Sequence, residues 1–220
     1  MELMKKFLSR FDFSIQPVTI LPLLILVLTY PAMKWLPNEY CYENHLIENF
    51  QLVILGATMA ICLKAKTDKK FFISLFLVCI ILFLREINCG RTIFFPIEGV
   101  ENAFYSWKDI PYGYLAHPLY GLFMAGSFLY FILTKSYKVL FNYMLNAKLS
   151  FWNWLFLFLG IILGTIGEEI SNMQLEEMTE TLFYLSFMAL IYLQGHNKNY
   201  IMQTENKNEW LASKRRTINW

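Results

Sequence analysis

A small set of carboxylates, one histidine and two arginines lies beside the long apolar runs of this sequence. Carboxylates with an imidazole can bind a divalent metal ion or exchange protons with a substrate, and arginine can hold an anionic group. Such groups are costly inside hydrocarbon, so they mark functional or structural sites when they occur at the ends of spans. The residues are Glu48, Arg85, Glu86, Arg91, His117, Glu169 and Glu176.

The composition predicts that these residues belong to a membrane protein. The chain has 220 residues, of which 56% are hydrophobic and only 16% are charged, whereas soluble domains average about 25% charged residues. The net charge of +2 is close to neutral, and no basic face of the kind that binds nucleic acid is evident. We therefore expect a membrane-embedded chain that has lipid around it and no nucleic-acid partner.

Six apolar stretches are long enough to cross a bilayer, for which a helix needs about 20 mostly apolar residues. They run over residues 15–36, 45–63, 71–89, 114–134, 151–172 and 175–194. The predicted fold is an all-α polytopic membrane helical bundle with about six spans, forming one domain over residues 1–195. An outer loop at about 90–113 is rich in aromatic and acidic residues, and residues 196–220 form a basic tail.

The distribution of charge predicts the orientation of the bundle. Short cytoplasmic loops are enriched in Lys and Arg, and 15 of the 19 basic residues fall on one predicted side. We therefore expect both termini in the cytoplasm and the protein in the inner (plasma) membrane. Of the 17 acidic residues, 12 lie on or near the opposite face. Acidic residues contribute little to topology, so this second asymmetry needs another cause.

Five of the predicted helices carry ionisable groups at a similar depth, just inside the outer interface. Such groups usually turn toward the bundle interior and pair there. The assigned roles are acid–base catalysis for Glu48, Glu86 and His117, and substrate binding for Arg85 and Arg91. The metal ligands would be Glu48, Glu86, His117, Glu169 and Glu176, for Mg, Mn or Fe(II). Residues Gln51, Glu177 and Glu180 lie at the same depth without an assigned role. The alternative is structural, with arginine–glutamate pairs tying helices together and the other acids solvated.

Two short segments carry resemblances to known families. The segment R-E-I-N-C-G-R (85–91), with an earlier Glu and a later His, resembles uncharacterised bacterial multispan membrane proteins that have an E-E-I-S-W-G-Q-R-like motif. Here Cys89 replaces the Trp and one residue is missing. The ordering of these features covers most of the chain, and the group implies a multispan fold without a function.

The segment C-Y-E-N-H-L-I-E-N-F (41–50) resembles the early part of alkaline ceramidases. That resemblance implies a zinc-dependent lipid amidase with seven spans. The family's zinc site uses three histidines, two of them one helical turn apart late in the chain. This chain has only His45, His117 and His196, so no zinc ligand is carried over from the family.

Three functions remain open from the sequence. One is a metal-assisted hydrolase or transferase acting on a lipid or lipid-linked substrate. Another is a non-catalytic membrane subunit that binds a protein partner, or a second copy of itself, through its outer face. The third is a transporter or proton relay, although the inner halves of the spans have almost no charge. Whether Cys41 and Cys89 form a disulfide on the outer side is also open.

Overall fold

The helices of the protein follow its apolar runs. A computed structural model describes residues 10–100 and 102–200. Within these ranges most residues lie in helices, which are joined by loops. Most of the predicted basic tail, and the basic residues before position 10, lie outside the described residues. The helices are α1 Ile20–Trp35, α2 Leu46–Leu63, α3 Lys69–Glu86, α4 Arg91–Phe94, α5 Ala116–Leu133, α6 Ser136–Asn146, α7 Phe151–Glu169 and α8 Met173–His196.

Four helical segments are long and apolar enough to cross a membrane. They are Pro17–Trp35, Asn38–Leu63, Gly113–Leu133 and Phe151–Glu169. The helix α3 joins them as a fifth if it is counted together with the bent segment Asn88–Phe94, which turns away from it by 56°. A helix thus lies at every one of the six predicted positions, and the composition of four of them identifies a membrane protein.

The last helix, α8, is the centre of the bundle. It packs against α1, α2 and α7, while α3 packs on α2 and α5 packs on α3. Because its neighbours shield it, α8 tolerates threonines, a serine and glutamates that a lipid-facing helix would avoid. This position explains why α8 falls outside the four apolar candidates although it contributes many of the buried side chains.

Glycines allow α7 to approach α8 closely. A Cβ atom on Gly160 would lie 2.9 Å from the backbone nitrogen of Phe183. A Cβ atom on Gly167 would lie 2.7 Å from the backbone nitrogen of Glu176. Small residues on one face let two membrane helices pack with their backbones in contact. The backbones of α7 and α8 therefore lie in close contact along this glycine face.

Two predicted spans are shorter in the structure because the chain leaves the helical conformation. After Glu86 the residues Asn88, Cys89 and Gly90 all have positive φ, of 45°, 52° and 90°, which breaks the helix predicted over 71–89. The stretch predicted as 151–172 stops at Glu169, and Ser171 has φ 53°. Asn172 then caps α8 by accepting a hydrogen bond of 2.8 Å from the Leu175 nitrogen, as helix N-caps commonly do.

The outer loop has structure of its own. Its middle folds back on itself, with a bridge between Pro96 and Phe104 and a 2.9 Å hydrogen bond from the Ile97 nitrogen to the Ala103 oxygen. The loop is fastened to the start of α2 because the Asn44 side chain donates to the Thr92 oxygen. This fastening places the loop beside the helix end that carries Glu48.

At the opposite end of the bundle, a pair of short strands joins distant parts of the chain. The strand β1, Phe11–Asp12, runs parallel to β2, Leu149–Ser150. The Asp12 carboxylate forms an ion pair of 2.9 Å with Lys148 and accepts a hydrogen bond from the Tyr200 hydroxyl. These contacts hold the segment before α1 against the start of α7 and the chain after α8.

Candidate carboxylate site

Four glutamates from three helices meet at one end of the bundle. Glu48 lies in the first turn of α2, Glu86 is the last residue of α3, and Glu177 and Glu180 lie in the first two turns of α8. They converge because α2 and α8 begin at the end where α3 finishes. We call Glu48, Glu86, Glu177 and Glu180 the carboxylate cluster, and this end the acidic end.

Glu48 is the most buried member, with 5% of its surface exposed. Its Oε2 atom accepts a hydrogen bond from the backbone nitrogen of Asn44, which precedes the helix. Its Oε1 atom is buried and has no hydrogen-bond partner among the described residues. A buried acceptor without a partner lowers the stability of the fold by about 1–3 kcal/mol. A hydrogen-bond donor that reached Oε1 of Glu48 would therefore be bound favourably.

Gln51 lies one turn after Glu48 and is fully buried. Its side-chain nitrogen donates to Oε2 of Glu177 at 3.0 Å and to the backbone oxygen of Glu177 at 3.1 Å. Its Oε1 atom has no partner among the described residues. Residues three apart share a helix face, so α2 presents two unpartnered acceptor oxygens on one side.

Glu86 is held by a tyrosine from the central helix. The Tyr184 hydroxyl donates a hydrogen bond to Oε1 of Glu86, and the Glu86 side chain is only 7% exposed. Arg85 lies 3.9 Å from the same oxygen and forms a closer ion pair with Glu180. The charges of Glu180 and Glu48 also act on Glu86, so these groups form one electrostatic unit.

Acid exceeds base in this unit. Arg85 is the one cation that contacts the cluster among the described residues, against four carboxylates. Arg91, also predicted to bind substrate, lies in the outer loop instead. With the Asn88 amide turned so that both of its groups have partners, its oxygen accepts a hydrogen bond of 2.7 Å from the Arg91 guanidinium. The guanidinium also lies 5.9 Å from the Phe104 ring centre. When ionised, the cluster therefore carries excess negative charge, which a bound cation or protons would neutralise.

His117 and Glu169, which the sequence assigned to a metal site, lie outside the cluster. His117 is exposed at the start of α5, where its ring packs edge-on against Trp107 at 5.5 Å. Its helix packs mainly on α3, and the ring of His117 faces Trp107 of the outer loop rather than the cluster. Glu169 is exposed at the end of α7, where the helix stops before the chain turns into α8.

Glu176 occupies an intermediate position. It is half-buried and lies within electrostatic range of Glu180, Glu168 and Arg85. Within residues 10–100 and 102–200, no three His, Cys, Asp or Glu side chains are grouped closely enough to hold a metal ion. The predicted five-residue metal set is thus divided between the cluster and exposed helix ends.

Tyr184 is the residue of the site that sequence reasoning missed. It lies seven positions after Glu177 and four after Glu180, which places all three toward one face of a helix. That spacing was available in the sequence, but a tyrosine in an apolar run is usually read as a packing residue. The four cysteines, including Cys41 and Cys89, are free thiols, so the open question of a disulfide is answered in the negative.

The fold and the site together define an all-helical protein with candidate membrane spans and a partly buried cluster of carboxylates at one end of the bundle. Comparison of the chain with protein-family models, with curated proteins and with solved structures finds no match.

Proposed function

We propose that the carboxylate cluster binds a primary ammonium group, carried by the headgroup of a membrane lipid. The observation that carries this proposal is the pair of buried acceptor oxygens, Oε1 of Glu48 and Oε1 of Gln51, which have no partner among the described residues. An ammonium group supplies N–H donors for such oxygens and a positive charge for a site with surplus acid.

The chemistry of the donors favours an ammonium over a divalent metal ion. Mg²⁺ requires near-octahedral oxygen ligands at about 2.0–2.1 Å, and the described residues do not present such a group. An ammonium group does not require a fixed ligand geometry, because its three N–H bonds can be distributed among carboxylate and amide oxygens. Glu48 and Gln51 supply one oxygen of each kind from neighbouring turns of α2.

The depth of the cluster favours an ammonium on a lipid. Glu48 and Glu86 lie at the ends of their helices, and Glu180 is two turns into α8. In a bilayer, the ends of spanning helices lie in the headgroup layer. The amine of an aminophospholipid occupies that layer, so it reaches the cluster without leaving its leaflet. Arg85 beside the cluster, with a half-exposed side chain, can contact the phosphate of the same headgroup.

The test compares two lipids that differ only in the substituents on nitrogen. Phosphatidylethanolamine has N–H donors, whereas phosphatidylcholine with the same acyl chains has none. Native mass spectrometry of the purified full-length protein should show that phosphatidylethanolamine is retained several-fold more than phosphatidylcholine. Free ethanolamine, added in excess, should not displace the lipid if the carrier is the headgroup.

Two variants complete the test. Glu48→Gln removes the charge of the buried acceptor and should abolish the preference, whereas Glu169→Gln, on an exposed residue outside the cluster, should leave it unchanged. Equal retention of both lipids by the wild-type protein would refute the proposal, as would an unchanged preference in Glu48→Gln. Displacement by free ethanolamine would refute the lipid as the carrier.

A second candidate, a hydrolase or transferase acting on a lipid, is favoured by the contact between Glu86 and Tyr184. A carboxyl group and a phenol in a hydrogen bond can exchange a proton with a substrate, and Arg85 is adjacent to both. Incubation with fluorescent phosphatidylethanolamine should then give a product that is absent with Glu86→Gln. No product from the wild-type protein would leave binding alone as the function.

We also propose six spans with both termini in the cytoplasm. Support comes from a helix at every predicted position and from the exposed lysines, which gather in loops at the end opposite the carboxylate cluster. In this arrangement the carboxylate cluster faces the outer leaflet of the plasma membrane.

A further inference from the structure

The helix α6 exposes an apolar face although it is too short to cross a membrane. It has 11 residues, and Phe141, Met144 and Leu145 are 61%, 45% and 55% exposed. The opposite face is firmly packed, because the Tyr143 ring stacks on Phe71 at 5.7 Å. The exposed face is therefore a fixed surface of the protein.

The position of α6 places this surface at the level of a membrane boundary. α5, a candidate span, ends at Leu133 and α6 begins at Ser136. Lys135 between them has a φ of 57°, which turns the chain out of the direction of α5. A helix that starts within one turn of the end of a span lies where headgroups meet acyl chains. An apolar face there is covered by lipid without crossing the bilayer.

Exposed lysines surround α6. They lie in the α2–α3 connection, at the start of α3 and around the start of α6, and they are Lys64, Lys66, Lys69, Lys70, Lys135 and Lys138. Among the described residues none of them forms an ion pair. The acidic residue beside them, Asp68, is half-buried and accepts a hydrogen bond of 3.2 Å from the Tyr143 hydroxyl. We call this end of the bundle the basic end.

A cavity of about 200 Å³ opens in the middle of this surface. Its walls include Lys69 and Lys70 from the start of α3, and Thr134 and Ser136 from the turn between α5 and α6. Asp68 also lines it, but its carboxylate is engaged by Tyr143. The two ammonium groups can hold a phosphate by charge and by N–H hydrogen bonds. The hydroxyls are already engaged, since those of Thr134 and Ser136 lie 2.8 Å apart and Ser136 also accepts a hydrogen bond from Ser74.

We propose that α6 and the lysines around it form a docking surface for anionic phospholipid. The apolar face of α6 enters the acyl layer, and the lysines bind the headgroups, one of which occupies the cavity between α3 and the α5–α6 turn. Charge complementarity and continuity with the spanning helix α5 select lipid as the occupant, because basic segments next to spans are attracted to anionic leaflets.

This inference is independent of the carboxylate cluster, which lies at the other end of the bundle and binds the opposite charge. Its test uses phosphatidylglycerol and phosphatidylcholine with identical acyl chains, added to the purified full-length protein in neutral detergent. Native mass spectrometry should show at least a several-fold preference for phosphatidylglycerol. Retention should fall as salt is raised, since exposed charges are screened.

Two sets of variants distinguish loss of charge from loss of structure. The paired changes Lys69→Gln with Lys70→Gln, and Lys135→Gln with Lys138→Gln, should each reduce retention of phosphatidylglycerol at least threefold. The corresponding Lys→Arg changes keep the charge and should retain it. Lys108→Gln, at the acidic end, is the matched control and should have no effect.

Three results would contradict the proposed docking surface. The surface does not recognise anionic lipid if the wild-type protein retains the two lipids equally, or if both Lys→Gln pairs retain phosphatidylglycerol as the wild type does. Loss of retention in the Lys→Arg variants as well would attribute the effect to altered structure and would overturn the role of charge.

Discussion

The Tyr184 hydroxyl on α8 donates a hydrogen bond to Oε1 of Glu86 at the end of α3. Both helices pack against α2, and this bond joins them directly at the acidic end together with the ion pair between Arg85 and Glu180. The contact thus connects the central helix of the bundle with the segment that leads into the outer loop.

Tyr184→Phe should destabilise the protein by about 1–3 kcal/mol, because it removes the donor while leaving the Glu86 carboxyl buried. The free energy of unfolding can be measured by denaturant titration in detergent. Tyr192→Phe is the matched control, since Tyr192 lies on the same helix with 40% of its surface exposed. A cost in Tyr192→Phe equal to that in Tyr184→Phe would show that the bond to Glu86 contributes nothing specific.

Gly160→Ala and Gly167→Ala should each destabilise the protein by about 1–3 kcal/mol, as overpacking of a close contact does. The new methyl groups would lie 2.9 Å and 2.7 Å from backbone nitrogens of α8. Thermal unfolding of each variant in detergent gives the measurement, and a lower unfolding temperature is expected.

Gly121→Ala on α5 is the control for these two variants. No heavy atom lies within 4 Å of a Cβ built at Gly121, and alanine is favoured over glycine in a helix interior by about 0.5–1 kcal/mol. The control should therefore be neutral or slightly stabilising. If all three variants behave alike, close packing of α7 on α8 is not what the glycines provide.

The ion pair at the basic end predicts a dependence on pH. Burial alone would raise the pKa of Asp12, but hydrogen bonds from Tyr200, Lys148 and Ser14 lower it well below its ordinary value. A carboxyl whose pKa is lower in the folded state stabilises the fold at pH values above its unfolded pKa of about 3.9. That contribution is lost as the pH falls through the folded pKa.

Asp12→Asn should therefore be less stable than the wild type at pH 7, and the difference should persist to about pH 5 and shrink below it. Unfolding at a series of pH values measures it, with Asp109→Asn, on an exposed loop residue, as the control. A difference between wild type and Asp12→Asn that grows on acidification would contradict the assignment.

The proposed orientation can be tested with reporters inserted at two described loops. A green fluorescent protein, which matures in the cytoplasm, should fluoresce when inserted after Thr67 in the α2–α3 connection. Alkaline phosphatase, which is active outside the cytoplasm, should work only when inserted after Asn102 in the outer loop. The reverse pattern of activity would invert the topology and place the carboxylate cluster at the inner leaflet.

Much of the fold could be predicted from the sequence because long apolar runs must form helices in a bilayer, where each backbone polar group needs an internal partner. Each of the six predicted segments overlaps one of the long helices. The short helix α6 was not predicted, since its 11 residues fall short of the about 20 that a helix needs to cross a bilayer. The helix ends at Glu86 and Glu169 were also placed too late, because left-handed residues such as Cys89 and Ser171 are hard to recognise without neighbours.

The sequence by itself predicted polar groups at one depth, since position along a spanning helix sets the distance from the interface. It could not determine which of them meet, because depth leaves the neighbours of each helix undefined. Only the tertiary structure, with α8 at the centre between α2 and α7, brought Glu48, Glu86, Glu177 and Glu180 together and left His117 and Glu169 exposed. The reason is physical: helix packing, including the close glycine contact between α7 and α8 and the packing of α8 on α2, decides which helices are neighbours.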